Sequence, residues 1–190
     1  VISSNTHYLK RLGEFVKYRD IIENALNGHG ADYCEIRIEE TDNSRLTYRG
    51  KSLDTIAQTS GLGGNVRAVT KGGWGFASFN SLDELSKKVA DAVAQSKAVG
   101  GTKTELGEVE PHVDVVQAYI VEDPTEISLD EKKRQMDHYN DLVWSVGGIN
   151  SADIIYGDTS RKTFFGSSDG SYIEQQQVHV VSRISAQARS

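Results

Sequence analysis

A change in the period of the apolar residues around residue 30 constrains this chain more than any other feature. Before it, Leu9, Leu12, Val16, Ile22 and Leu26, with Phe15 and Ile21, recur at helical spacing, which predicts a helix within residues 6–27. Gly28-His29-Gly30 supplies the permissive backbone on which a helix ends, and residues 1–5 read as a lead segment. After Gly30 the period falls to two. Cys34, Ile36 and Ile38 share one face, while Tyr33, Glu35, Arg37 and Glu39 share the other. That alternation describes a half-buried strand. A chain that seats a helix against such a strand combines both element types in one unit.

The pattern continues in strands. Thr41-Asp42-Asn43-Ser44 reads as a turn, Arg45–Arg49 as a strand, Gly50-Lys51 as a tight turn and Ser52–Thr59 as the returning strand. Gly61, Gly63 and Gly64 read as a break before a strand over Asn65–Thr70. Lys71-Gly72-Gly73 turns again into the apolar run Trp74–Phe79. Ser81-Leu82-Asp83-Glu84 has the form of a capping box. It precedes a helix that buries Leu82, Leu85, Val89, Ala92 and Val93 and ends near Gly100-Gly101.

Residues 100–112 read as a linker, Val113–Val121 as extended chain, and Asp123-Pro124 as a boundary. Ser128-Leu129-Asp130-Glu131 is a second capping box, opening a helix that buries Leu129, Met136, Tyr139 and Val143 and stops at Gly147-Gly148. Strand-like runs follow at Ile149–Tyr156, Arg161–Phe165 and from Ser171 onward. The expected architecture is α+β: a mixed or antiparallel sheet with flanking helices over residues 14–110, then a helix plus a β-meander over residues 111–190. The last run ends in mid-pattern, without turn or cap, so the expectation is that it continues into a further C-terminal domain.

Composition narrows the function classes. The 190 residues carry 27 acidic and 21 basic side chains, a net charge of −6 that argues against a partner bound through nucleic-acid phosphates. No apolar run approaches the length of a spanning helix, and the first residues show no signal-peptide pattern. One cysteine, Cys34, excludes an internal disulfide framework, and a cytoplasmic setting fits.

Several local patterns touch on chemistry. Gly166-Ser167-Ser168-Asp169-Gly170 fits the G-x-S-x-G elbow that would make Ser168 a nucleophile. The elbow needs a helix after it, whereas Tyr172–Val180 reads as a strand, so Asp169-Gly170 is better taken as a hairpin turn. Gly73-Trp74-Gly75 lacks the third glycine and the following helix of a dinucleotide fingerprint. The histidines, at 7, 29, 112, 138 and 179, form no H-E-x-x-H motif, and no two lie at ligand spacing. His138 with Asp137 and Asp141 reads as a polar helix face, as does the basic run Lys132-Lys133-Arg134. Glu39, Glu40 and Asp42 read as a solvated strand end, with a loose cation contact as the alternative, and Cys34 as a small buried hydrophobe.

Taken in order, four segments resemble the TldD/PmbA family. They are Gly30-Ala31-Asp32-Tyr33-Cys34-Glu35-Ile36-Arg37; Gly72-Gly73-Trp74-Gly75-Phe76-Ala77-Ser78 with its Leu-Asp-Glu helix; Asp123-Pro124 with the Ser128 cap; and Ser167-Ser168-Asp169-Gly170. The resemblance spans about residues 14–185, and the Trp-Gly-Phe-Ala block is closer to the TldD branch. It implies a cytosolic zinc metallopeptidase acting on unfolded or peptide substrates, as a homo- or heterodimer with a family member. It also brings the label of modulator of DNA gyrase. The family's metal motif, a helical H-E-x-x-x-H with a later cysteine, lies beyond the matched region. The resemblance therefore implies zinc in a longer protein and none on these residues. No catalytic, metal-binding or substrate-binding residue is assigned. The alternative is a non-catalytic assembly or binding module, a PmbA-like partner subunit.

Overall fold

The computed structural model describes residues 18–99, 101 and 104–189. Of the first expected helix, residues 18–26 are helical and are labelled α1; Leu9, Leu12, Phe15, Val16 and the lead segment lie outside the described residues. Next come β1 (Tyr33–Arg49), β2 (Ser52–Thr70), β3 (Gly73–Phe79), α2 (Leu85–Val99), β4 (Val113–Val116), α3 (Leu129–Ser145), β5 (Ile149–Ser167) and β6 (Tyr172–Ala188). The strands form one sheet in the order β3-β2-β1-β5-β6-β4. β2 and β3 pair antiparallel, from Thr70 opposite Gly73 to Gly64 opposite Phe79. β4 runs parallel to β6, from Val113 opposite Tyr172 to Val116 opposite Gln175. The sheet is therefore mixed, as expected for this α+β chain.

Three turns work by positive φ. Gly50 (φ 61°) closes β1 onto β2, and Lys71 (φ 48°) with Gly72 (φ 80°) closes β2 onto β3. Gly170 (φ 96°) lies in the turn between β5 and β6, where Gly170 N donates to Ser167 O at 3.1 Å. The hairpin expected at Asp169-Gly170 is present, and no helix follows it.

Three expected interruptions are absent. Thr41–Ser44 is not a turn, and Gly61–Gly64 is not a break; each lies inside a continuous strand. Asp42 accepts from Ser60 Oγ at 2.5 Å, and Asn43 Oδ1 accepts from Thr159 Oγ1 at 2.9 Å. Turn-forming side chains usually bond their own backbone; here they bond across to neighbouring strands. A Cβ on Gly64 would come within 2.3 Å of Arg37 O and 2.4 Å of the Phe79 ring, so this glycine permits close approach rather than a bend. Ile149–Tyr156 and Arg161–Phe165 are likewise one strand. Of Val113–Val121, only Val113–Val116 joins the sheet.

The capping boxes diverge. Ser128 Oγ accepts from Glu131 N at 3.2 Å and caps α3 as read. Ser81 Oγ accepts instead from Asp83 N, one residue early, and opens a 3-10 turn (Leu82–Glu84) that leads into α2.

The chain divides into two compact units. The first is built from the segment up to Glu40, Leu62–Gln117 and Lys162–Gln175. Its core joins Tyr18, Ile22 and Leu26 of α1 to Cys34, Ile36 and Ile38 of β1 and to Leu85, Val89, Ala92 and Val93 of α2. Phe164 stacks on Tyr18 with ring centroids 4.0 Å apart. The second is built from Thr41–Gly61, Ala118–Arg161 and Gln176–Ser190. Its core is Leu46, Tyr48, Met136, Ile154 and Tyr156, with Leu53, Leu129, Tyr139 and Val143 packed half-buried against it.

Candidate functional site

In the first unit, alternation sends Ile36, Val66, Ala77 and Phe164 into the core and leaves Glu35, Arg37, Arg67, Phe76 and Phe165 on the opposite face of the sheet. On that face lies a cleft of about 340 Å³ lined by Glu35, Arg37, Asn65, Arg67, Phe76 and Phe165. Glu35 is only 7% exposed, although its position in the alternation reads as solvated. Its carboxylate accepts from Tyr33 Oη at 2.6 Å and from Arg67 Nε at 2.5 Å, and Arg67 Nη2 also contacts it. The Arg67 guanidinium carbon lies 5.7 Å from the centre of the Trp74 ring. Beside it, Arg37 Nε and Nη2 both reach Glu39 Oε1 at 3.0 Å. Trp74 and Phe76 are 40% and 54% exposed, unusual for large aromatics on a sheet. The burial of Tyr33 and its bond to Glu35 raise the phenol pKa far above its ordinary value.

A second cleft in this unit, about 410 Å³, includes Glu23, His29, Ser167 and Ser168 among its lining residues. His29 Nδ1 accepts from Ala31 N at 3.0 Å, and burial lowers the imidazole pKa. Ser168 Oγ accepts from Cys34 N at 3.0 Å while Ser168 N donates to Cys34 O at 2.8 Å. The serine of the G-x-S-x-G pattern therefore ties the β5–β6 turn to β1. Cys34 is buried as expected; burial first, then the charge of Glu35, pushes its thiol pKa up to about 11.

The second unit contains a feature that sequence reasoning missed. Lys132, read as part of a solvated face, is 3% exposed at the side chain, and Asp158 is 2% exposed. Lys132 Nζ lies 2.8 Å from Asp158 Oδ2 and 3.0 Å from Ser44 Oγ. Tyr156 hydrogen-bonds Asp158, and burial together with that bond raises its pKa. The signal was available: Lys132 stands four residues before the buried Met136, on the same face of α3. Lys133 behaves as read, pairing with Asp137 at 2.6 Å. Hydrogen bonds from Lys133 and Tyr48 hold the Asp137 carboxyl below the usual range.

None of these groups fits a zinc ion. Among the described residues no three His, Cys, Asp or Glu side chains converge as a metal site. The acids of the candidate strand end are bonded to protein: Glu39 to Arg37, Glu40 to Tyr18 and Asp42 to Ser60. His112 lies 3.7 Å from Asp114, and His138 lies against Tyr139. Among the described residues, no helix is long and apolar enough to cross a membrane.

Comparison with known proteins gives this geometry a family. Residues 34–96 match the model of PmbA/TldA metallopeptidase domain 1. A Synechocystis protein named a metalloprotease is 33% identical over 150 residues, which is 76% of this chain and 32% of the relative. This chain spans about a third of the length of the curated relatives it matches. The fold is shared with a Thermotoga maritima protein described as a candidate modulator of a DNA gyrase, at a TM-score of 0.72 and 16% identity, covering 92% of this chain and 40% of that one. It is shared also with TldE from Thermococcus kodakarensis, at a TM-score of 0.66 and 14% identity, covering 90% of this chain and 40% of that one. By its matched domain, its metalloprotease relatives and its fold, the chain belongs to the PmbA/TldD family.

Proposed function

We propose that this chain is the N-terminal part of a TldD-like zinc metallopeptidase acting on unfolded or peptide substrates, with the catalytic metal held outside these residues. The observation that carries the reading is the alignment of 150 residues to about a third of a protein named a metalloprotease. The described residues offer no converging ligand set, so no step of the reaction is assigned to them. Their contribution is a folded scaffold and the polar-aromatic sheet face of the first unit. In this reading the protein works in the cytoplasm as a homo- or heterodimer with a family member.

The test compares the parent gene product with the 190-residue chain. Metal analysis and cleavage of a quenched-fluorescence unfolded substrate are measured on both. The parent protein is expected to hold about one zinc per chain and to lose cleavage on chelation. The 190-residue chain alone is expected to show neither. Cleavage by that chain alone would sink the reading. A parent protein without zinc that forms a stable complex with a second family member would replace it with the assembly-subunit alternative.

A further inference from the structure

We propose that the cleft on the open sheet face of the first unit is a subsite for a peptide carboxylate, with Arg37 and Arg67 as its donors and Phe76 and Phe165 as its apolar walls. The cleft of about 340 Å³ brings these four residues together with Asn65. A guanidinium has five N–H donors in a fixed fork. Glu35 takes the Nε and Nη2 side of Arg67, and Glu39 takes the Nε and Nη2 side of Arg37. Each fork is thus held along its Nε and Nη2 edge. Both side chains remain about half exposed, at 50% for Arg67 and 49% for Arg37. Glu35 is itself fixed by Tyr33, and Trp74 flanks the Arg67 guanidinium. An arginine anchored in this way loses little side-chain freedom when a carboxylate arrives.

The occupant follows from charge and shape. Each arginine already faces one carboxylate, so the cleft lacks the uncompensated positive field that a polyphosphate backbone requires. It suits a ligand with one anionic group beside apolar atoms, which an extended peptide supplies through an acidic side chain or through its own C-terminus. The peptide lies on the face and does not add to the edge of β3, because Phe76 N is already bonded to Gln95 Oε1 of α2 at 3.3 Å. In choosing a peptide, the proposal rests on the peptidase reading above. Its test measures binding without cleavage, so the two can fail separately.

The experiment is fluorescence anisotropy with four labelled probes on the 190-residue chain. Three are one extended apolar peptide: with an internal Glu and an amidated end, with Gln and a free C-terminus, and with Gln and an amidated end. The fourth is a short oligo-dT. Binding of at least one carboxylate-bearing peptide about tenfold tighter than the uncharged one is expected, a gap of one charge-assisted bond. Which of the two binds identifies the carboxylate source. Arg67→Gln leaves Glu35 buried without its cation and risks unfolding, so the informative variants are Arg37→Gln and Phe76→Ala at exposed positions. Arg37→Gln is expected to erase most of the tenfold preference, and Phe76→Ala to weaken all three peptides together. Equal affinity for the three peptides, absence of binding, preference for oligo-dT, or an Arg37→Gln chain that retains the carboxylate preference would each overturn the proposal.

Discussion

Lys132 and Asp158 are buried ions whose nearest polar neighbours are each other, Ser44 and Tyr156. Removing one ion strands the other, which costs about 3–5 kcal/mol, whereas replacing both with apolar groups of similar size is close to neutral. Lys132→Met should therefore lower the urea midpoint sharply, and Lys132→Met with Asp158→Leu should recover most of the loss. A double variant no better than the single one would mean that packing, not the ion pair, sets the cost. Cys34 gives a pH prediction. Its folded pKa is about 11 against an ordinary 9.0, and burial raises the pKa values of Tyr33, Tyr48, Tyr156 and Tyr172 as well. Above pH 9 the unfolded thiol sheds its proton while the folded one keeps it, so stability is full below that pH and falls between about 9 and 11. The thiol's share is on the order of 2–3 kcal/mol. Urea midpoints at pH 8, 9.5 and 10.5 should fall in the wild-type chain and fall less steeply in Cys34→Ala, the tyrosines supplying the remainder. Burial of Cys34 was legible from its place between alternating residues. For Lys132 the spacing to Met136 gave its helix face, but its partner was not legible, because that acceptor is 26 residues away in sequence, on β5.

Among the elements, α2 has a seat that depends on a single missing atom. A Cβ on Gly75 would lie 1.8 Å from Ala92 O and 2.7 Å from Ser96 N, so β3 and α2 touch backbone to backbone. Gly75→Ala should cost about 1–3 kcal/mol or more by overpacking. Gly107→Ala, where a Cβ meets nothing within 4 Å and φ is not positive, should stay within about 0.5 kcal/mol of wild type. Thermal melts of the two variants decide this, and equal melting temperatures would disprove the tight seat. At α3 the Ser128 cap is a smaller lever: Ser128→Ala should cost about 1 kcal/mol. Helices were the more legible elements, because a cap and a stripe are local signals. Strand lengths were not, since Asp42 and Asn43 carry turn chemistry that is spent on cross-strand bonds to Ser60 and Thr159, and Gly61 lies within a continuous strand.

For the molecule as a whole, the units are assembled from segments distant in sequence. Lys162–Gln175 belongs to the first unit, where Phe164 and Tyr172 are buried in the core and Ser168 bonds Cys34. A chain ending at residue 110 lacks those residues and should unfold without a cooperative transition, as read by circular dichroism on heating. A sharp wild-type-like melt of that fragment would show that β5 and β6 are dispensable to the first unit. What the amino-acid sequence determined by itself was local and periodic: the α+β class, the helices α2 and α3, the three tight turns, the buried face of β1, and a family resemblance carried by short ordered motifs. Those properties depend on side chains within one or two turns of one another, so a linear reading reaches them. Only the tertiary structure decided which polar residues are buried with partners, that Thr41–Ser44 and Gly61–Gly64 run straight through the sheet, and that Arg37, Arg67, Phe76 and Phe165 share one cleft. These depend on cross-strand register and helix seating, where contacts join residues tens of positions apart that no local pattern links.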